Sequence, residues 1–163
     1  MARPPRSGGC LCGALRYEVT AVPYYVAVCS CRFCQRVTGS DYNVESMFRV
    51  AQVRLTQGRA ARYSHVSEGS GQPVHLDFCA ACGTTVFLVP ERFPDCIGIF
   101  SGSFDDPEWF ERSPATTGYF FTESAPRGMT IPAGHDTYPG HARALDGSDN
   151  PAIRLDAPRP VTR

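Results

Sequence analysis

The sequence predicts a mainly β domain, and three observations predict it. Apolar side chains recur at every second position in short runs. Gly, Pro, Ser and Asp separate those runs. No stretch carries a long helical period. In chain order, Ala14–Val19 places Leu15, Tyr17 and Val19 on one face, and Tyr24–Val28 is a more continuous apolar run. Gln52–Thr56 alternates through Val53 and Leu55, and Val74–Phe78 through Val74, Leu76 and Phe78. Thr84–Val89, Cys96–Phe100 and Tyr119–Thr122 read as further strands. Gln57-Gly58, Gly69-Ser70-Gly71 and Phe104-Asp105-Asp106-Pro107 read as the turns between them. One helical turn is expected around Arg32–Val37, and Asp106-Pro107 is a second helix-start signal.

A chain of 163 residues fits one domain, long enough to bury a core without metal as its sole support. Aromatic and β-branched residues thin out beyond Pro132. The expected division is therefore a domain over residues 1–132 and a loosely packed or disordered tail over 133–163. The formal net charge is zero, and all 16 basic residues are arginine, scattered without a dense run. That pattern gives no electrostatic grip for nucleic acid or an anionic membrane. With no lysine, no side chain can form a Schiff base with a carbonyl substrate. Residues 1–9 lack the apolar segment of a secretory signal, and no run reaches the length of a membrane span. The expected location is the reducing cytoplasm, where closely spaced cysteines read as metal ligands rather than disulfides.

Seven of the eight cysteines fall into tight groups: Cys10 and Cys12, then Cys29, Cys31 and Cys34, then Cys79 and Cys82. The first and last pairs together supply four sulfurs, the number that closes a tetrahedral zinc site. Each pair is followed at once by glycine, Gly13 and Gly83, which lets the chain leave the turn at positive φ. Four buried free thiols, or an iron site like that of rubredoxin, are the other readings. The middle group supplies three sulfurs, which leaves one position of a second zinc open to water or a thiol. Arg32 and Arg36 beside it would favour thiolate forms and attract an anion. Two alternatives stand beside the open site. Cys96, His65 or His75 could close it, or Cys31 and Cys34 could form a redox pair. Cys96, in an apolar strand, reads as a core thiol, and His135 and His141 receive no role.

Four motifs then stand together: Gly8-Gly9-Cys10-x-Cys12-Gly13, Leu15-Arg16-Tyr17, Cys29-x-Cys31-x-x-Cys34-Gln35-Arg36-x-Thr38-Gly39-Ser40, and Phe78-Cys79-x-x-Cys82-Gly83-Thr84. With Ser101-Gly102-Ser103-Phe104-Asp105-Asp106-Pro107, they resemble the glutathione-dependent formaldehyde-activating enzyme family over Gly8 to about Pro132. The resemblance implies packed antiparallel sheets of Mss4-like or β-tent architecture. It implies structural zinc at Cys10, Cys12, Cys79 and Cys82 and catalytic zinc at Cys29, Cys31 and Cys34. It also implies addition of glutathione to formaldehyde, giving S-hydroxymethylglutathione, with classification as a carbon–sulfur lyase for the reverse reaction. Arg32, Arg36, Thr38 or Ser40 would then face the developing alkoxide. Centromere protein V-like relatives share the domain, so the alternative is a non-catalytic module that binds a thiol or a protein. A thiol redox protein such as a methionine-sulfoxide reductase is a third class, and Cys96 is the one cysteine outside the groups to serve it. The chain departs from the family pattern at Ser30 and Tyr119, where histidine is common, and at Gly128, where tryptophan is.

Overall fold

A computed structural model describes residues 4–162. The described chain groups into two compact units, each discontinuous in sequence. One contains residues up to Tyr24 with Ser46–Glu111, the other Tyr25–Glu45 with residues from Arg112 onward.

In the first unit, β1 (Arg6–Gly9), β2 (Arg16–Val19) and β5 (Val53–Gln57) form an antiparallel sheet in the order β1-β2-β5. β6 (Ala61–Val66), β7 (Pro73–Phe78), β8 (Thr85–Pro90) and β9 (Cys96–Phe100) form an antiparallel run, each strand pairing with the next. The alternation of β2 does what its pattern requires. Leu15, Tyr17 and Val19 are buried against Phe48, Val86, Phe87, Ile99 and Phe104. Burying a side chain of this size contributes about 1.5–3 kcal/mol. The Tyr17 ring meets Phe87 and Phe104 edge-on at centroid distances of 5.2 and 5.6 Å, and its hydroxyl pairs with Ser103 Oγ at 2.9 Å. Cys10 and Cys79 belong to this same core cluster, so the hydrophobic interior and two of the candidate ligands are one structure.

In the second unit, β10 (Thr117–Phe120) runs parallel to β3 (Tyr25–Cys29) and to β12 (Asp136–Thr137), which pairs antiparallel with β13 (Ile153–Arg154). The sheets are thus antiparallel in one unit and mixed in the other, where wholly antiparallel sheets were expected. The physical reason is the long connection between β3 and β10, which frees the pair from the hairpin geometry that forces antiparallel order. Between β3 and β4 (Asn43–Arg49) lies the one α-helix of the described residues, α1 (Arg32–Thr38). Cys31 caps its start, its sulfur accepting from the Cys34 N–H at 3.3 Å, and Gly39 ends it at φ 63°. Beyond Pro132 the chain adds β12, β13 and β14 (Arg159–Pro160). The last pairs with β11 (Thr130–Ile131), and Val161 packs against Ala125 and Ile131.

The strands β1, β4 and β6 and the parallel pairing were not expected from the pattern. β4 buries Asn43, Glu45 and Ser46, which breaks the apolar alternation by which strands are recognised. β6 is mostly exposed, held to its neighbour by the Arg62–Asp77 pair at 2.6 and 2.8 Å. The expected helix start at Asp106-Pro107 is instead a turn. Asp106 caps the Glu108 N–H at 3.0 Å, but the Trp109 and Phe110 rings then pack on Phe104 and draw the chain out of helical register. Among the described residues, no helix is long and apolar enough to cross a membrane.

Candidate metal centres

The first thiol group lies wholly within the first unit and is built from two nearly identical turns. In each, the leading cysteine's N–H bonds the carbonyl five residues on (Cys10 to Leu15, Cys79 to Thr84, both 3.0 Å). In each, the following glycine's N–H returns to the leading carbonyl (Gly13 to Cys10 at 3.0 Å, Gly83 to Cys79 at 2.8 Å). Gly13 and Gly83 sit at φ 77° and 75°, a conformation that costs any residue with a Cβ, which explains the glycine after each pair. The four sulfurs all lie within 4.8 Å of one another. Cys12 Sγ stands 3.6 Å from Cys10 Sγ and 3.8 Å from Cys79 Sγ. A tetrahedral zinc with Zn–S bonds of about 2.3 Å needs sulfurs about 3.8 Å apart, so the set fits the ion. Groups around the sulfurs orient them: the Leu15 N–H points at Cys10 Sγ from 3.2 Å, and the Thr84 hydroxyl sits 3.2 Å from Cys82 Sγ. The Thr84 hydroxyl is the largest influence holding the Cys82 thiol down to about 5.

The second group lies wholly within the second unit. Cys29 closes β3, Cys31 caps α1 and Cys34 sits in its first turn, so a strand end and a helix start converge three sulfurs within 4.8 Å. Among the described residues, no fourth Cys, His, Asp or Glu ligand atom joins them at that distance. Cys96, His65 and His75 stand outside the group. Cys96 Sγ meets the Tyr24 hydroxyl at 3.0 Å, and His75 bridges Ser64 Oγ and Glu91 at 2.8 and 2.9 Å. The Cys31 thiol is held down to about 3, first by S–H donation from Cys29 and then by Cys34; the same sharing pushes Cys29 and Cys34 up. All eight cysteines are free thiols.

Arg32 and Arg36 are exposed on α1, and Arg32 hydrogen-bonds the Gln35 side chain. Thr38 turns its hydroxyl back to the Cys34 carbonyl at 2.8 Å and accepts the Ser40 N–H at 3.2 Å, closing the helix end.

Two residues near this group escaped the sequence reading. Gln35 is buried and its Nε2 donates to the Ser30 and Ser124 carbonyls at 2.6 and 2.9 Å, locking α1 to the cysteine turn. Glu45 is buried on β4, and its Oε1 has no hydrogen-bond partner among the described residues. Burial first, and then repulsion from Cys31, raise its carboxyl to about 8. The signal was a glutamate placed where β4 should carry an apolar side chain.

A cavity of about 420 Å³ adjoins the same strand. The β10–β3 register pairs Tyr119 with Val28 and Phe120 with Cys29, so alternation separates two faces. Val28, Thr117 and Tyr119 line the cavity on one face, and Cys29 lies on the other. Met129 lines the cavity too, and its sulfur accepts from the Ser30 hydroxyl, inside the cysteine turn, at 3.5 Å. Two of the three departures from the family pattern, Tyr119 and Gly128, line this cavity, and the third, Ser30, contacts the wall residue Met129.

Comparisons with known proteins agree with the geometry. The family model described as glutathione-dependent formaldehyde-activating enzyme matches residues 5–124. A Halomonas elongata protein, provisionally named a glutathione-dependent formaldehyde-activating enzyme, is 25% identical over 101 residues. That match covers 60% of this chain and 64% of the relative's length. A crystal structure of a Rhodobacter sphaeroides protein superposes with a TM-score of 0.50 at 21% identity, over 65% of this chain and 91% of that one, a likeness of fold. The family match takes in all seven grouped cysteines and most of the chain, so the chain belongs to the glutathione-dependent formaldehyde-activating enzyme family.

Proposed function

We propose that this protein joins a small thiol, glutathione, to a small aldehyde, formaldehyde, and that it cleaves the product in reverse as carbon–sulfur lyases do. The thiol sulfur bonds to the carbonyl carbon, and the S–H proton ends on the carbonyl oxygen, giving S-hydroxymethylglutathione. The observation that carries this reading is a group of three converged sulfurs, with no fourth protein ligand among the described residues, in the same unit as a buried acid.

Cys29, Cys31 and Cys34 would hold one zinc ion, and Cys10, Cys12, Cys79 and Cys82 the other. When bound at the three-sulfur group, zinc supplies Lewis acidity that lets an added thiol ionise at neutral pH. Cys31 serves as the first thiolate of that group, fixed in place by the Cys34 N–H. Glu45 is the proton carrier. Its unpartnered Oε1 takes the S–H proton and returns it to the oxygen as the carbon–sulfur bond forms. Arg32 and Arg36, exposed on the helix that carries Cys34, draw an anionic thiol towards the group and balance the alkoxide charge. The chemistry needs reduced sulfurs, which supports a location in the reducing cytoplasm.

The test is zinc content and formaldehyde consumption, with glutathione present, in wild type and Cys31→Ser. Two zinc ions falling to one, with loss of turnover and a retained fold, is the expected result. Unchanged turnover in the variant would refute the assignment. Glutathione binding to wild type without aldehyde consumption would favour a non-catalytic thiol-binding module.

A further inference from the structure

The outer strand of the β6–β7–β8–β9 run has an open side. β6 pairs with β7 and ends the strand order. Edge strands are commonly blunted by proline, by a bulge, or by charges aimed into the open side. β6 reads Ala-Arg-Tyr-Ser-His-Val, without proline, and pairs with β7 without a shift of register. Its arginine, Arg62, is drawn over the neighbouring strand by Asp77 at 2.6 Å. The hydrogen-bond phase of the edge follows from the turn that joins the two strands. The Ser67 N–H bonds the Gln72 carbonyl at 3.0 Å, so those two residues oppose each other as a bonded pair. At every second residue back, His65, Tyr63 and Ala61 direct their backbone groups to β7. Arg62, Ser64 and Val66 therefore turn N–H and C=O to the open side, where among the described residues they have no backbone partner. The side chains along this edge stand in solvent, with Tyr63 55% and Val66 62% exposed.

We infer that β6 is a self-association edge, and that its partner is β6 of a second copy of this chain, joined antiparallel about a two-fold axis at Ser64. A two-fold contact sets one surface against itself. Centring the axis on Ser64 opposes Ser64 to its own copy and Arg62 to Val66 of the partner subunit, so every outward backbone group meets another. Centring it on Tyr63 or on His65 leaves Val66 or Arg62 without an outward-turned partner in β6. On the Ser64 register no like charges oppose each other, and Val66 lies against the apolar stem of the partner's Arg62. On the other face Tyr63 stands opposite the partner's His65. The Tyr63 and His65 rings already sit 6.5 Å apart within one chain, so two copies bring four rings together. One strand pair of this length is a small contact, below the ~1,200 Å² of standard interfaces, so its dissociation constant is on the order of micromolar. The edge lies in the first unit and none of its residues belongs to either thiol group, so the inference is independent of the reaction proposed above.

The test is sedimentation equilibrium and amide hydrogen exchange on the zinc-loaded full chain, from about 1 μM to about 1 mM. The expected result is a monomer–dimer equilibrium. As concentration rises, the Arg62, Ser64 and Val66 amides should slow about tenfold, while those of β5, the edge of the other sheet in this unit, stay unchanged. Val66→Lys sets an ammonium opposite the partner's Arg62 and should weaken the dimer about tenfold or more; Val66→Glu sets a carboxylate there and should hold or tighten it. Val66 is exposed, so both variants should melt with the wild type, which separates lost association from lost folding. A monomer throughout the range, a dimer that leaves the β6 amides unchanged, or equal effects of the two charges overturns the inference. Slow β6 amides at every concentration would assign the edge to a segment of the same chain and overturn it too.

Discussion

The two thiol groups are built from the same side chain, yet their surroundings differ at every level. In the first unit four sulfurs converge, Cys10 and Cys79 are part of the hydrophobic core, and paired turns repeat one hydrogen-bond pattern. In the second unit three sulfurs converge at a strand end and a helix start, and the same unit buries an acid without a hydrogen-bond partner. On the proposed reading, the difference teaches that ligand count and neighbourhood, rather than the ligand type, would divide holding from reacting. Four sulfurs would fill every position of a tetrahedral ion and leave none for a substrate, even though Cys12 itself is exposed. On the same reading, an incomplete set in the same unit as Glu45 would have both a position for a thiol and an acceptor for its proton.

Substitutions in the two groups should separate sharply. Cys79→Ser is the largest expected effect. Structural zinc contributes an apparent ~10–16 kcal/mol in small zinc peptides. A domain's whole net stability is about 5–15 kcal/mol. The variant should therefore lose cooperative unfolding, as read by a thermal melt, whereas Cys31→Ser should keep it. Equal damage from both would erase the distinction.

Glu45→Gln sharpens the comparison from the reactive side. An amide fits the buried site but carries no transferable proton, so kcat should fall about 10²–10⁴-fold. The sign of the pH effect follows from the raised carboxyl. The carboxylate that accepts the proton is scarce below about 8, so wild-type kcat should climb as pH rises through that value. The variant should lose this limb of the pH profile. Cys31 is the charged group acting on this carboxyl, so a persistent limb would move the titration to the thiols.

Smaller effects probe the closed group. Thr84→Val removes the hydroxyl that contacts Cys82 and accepts the Leu11 N–H, and should weaken zinc retention about 10–100-fold in a chelator competition. Tyr17→Phe removes one hydrogen bond to Ser103 Oγ, which still donates to the Phe100 carbonyl at 2.8 Å. Its expected cost is about 0.5–1.5 kcal/mol, measured by urea denaturation, with no change in zinc content.

The legible part of the fold was the part written in local pattern. Leu15, Tyr17 and Val19 announced a core face, and Cys96–Phe100 matches β9 residue for residue. The glycines after each cysteine pair announced the positive-φ exits. The grouping of the thiols was legible because ligands on one tight turn must be neighbours in sequence. β4 stayed hidden because its buried Asn43, Glu45 and Ser46 are polar, and their satisfaction or lack of it depends on tertiary neighbours. Glu45 was missed for the same reason. The cavity draws Asp41, Arg112, Thr117 and Arg127 from segments far apart in sequence, and the β3–β10 pairing that brings them together leaves no local signature.

Zinc-edge X-ray absorption, before and after adding glutathione, tests the central claim most directly. An incomplete three-sulfur group beside a closed four-sulfur one predicts a single lighter ligand shared across the two ions, replaced by sulfur when glutathione binds. Coordination by sulfur alone from the outset, or a lighter ligand that glutathione leaves untouched, would contradict it.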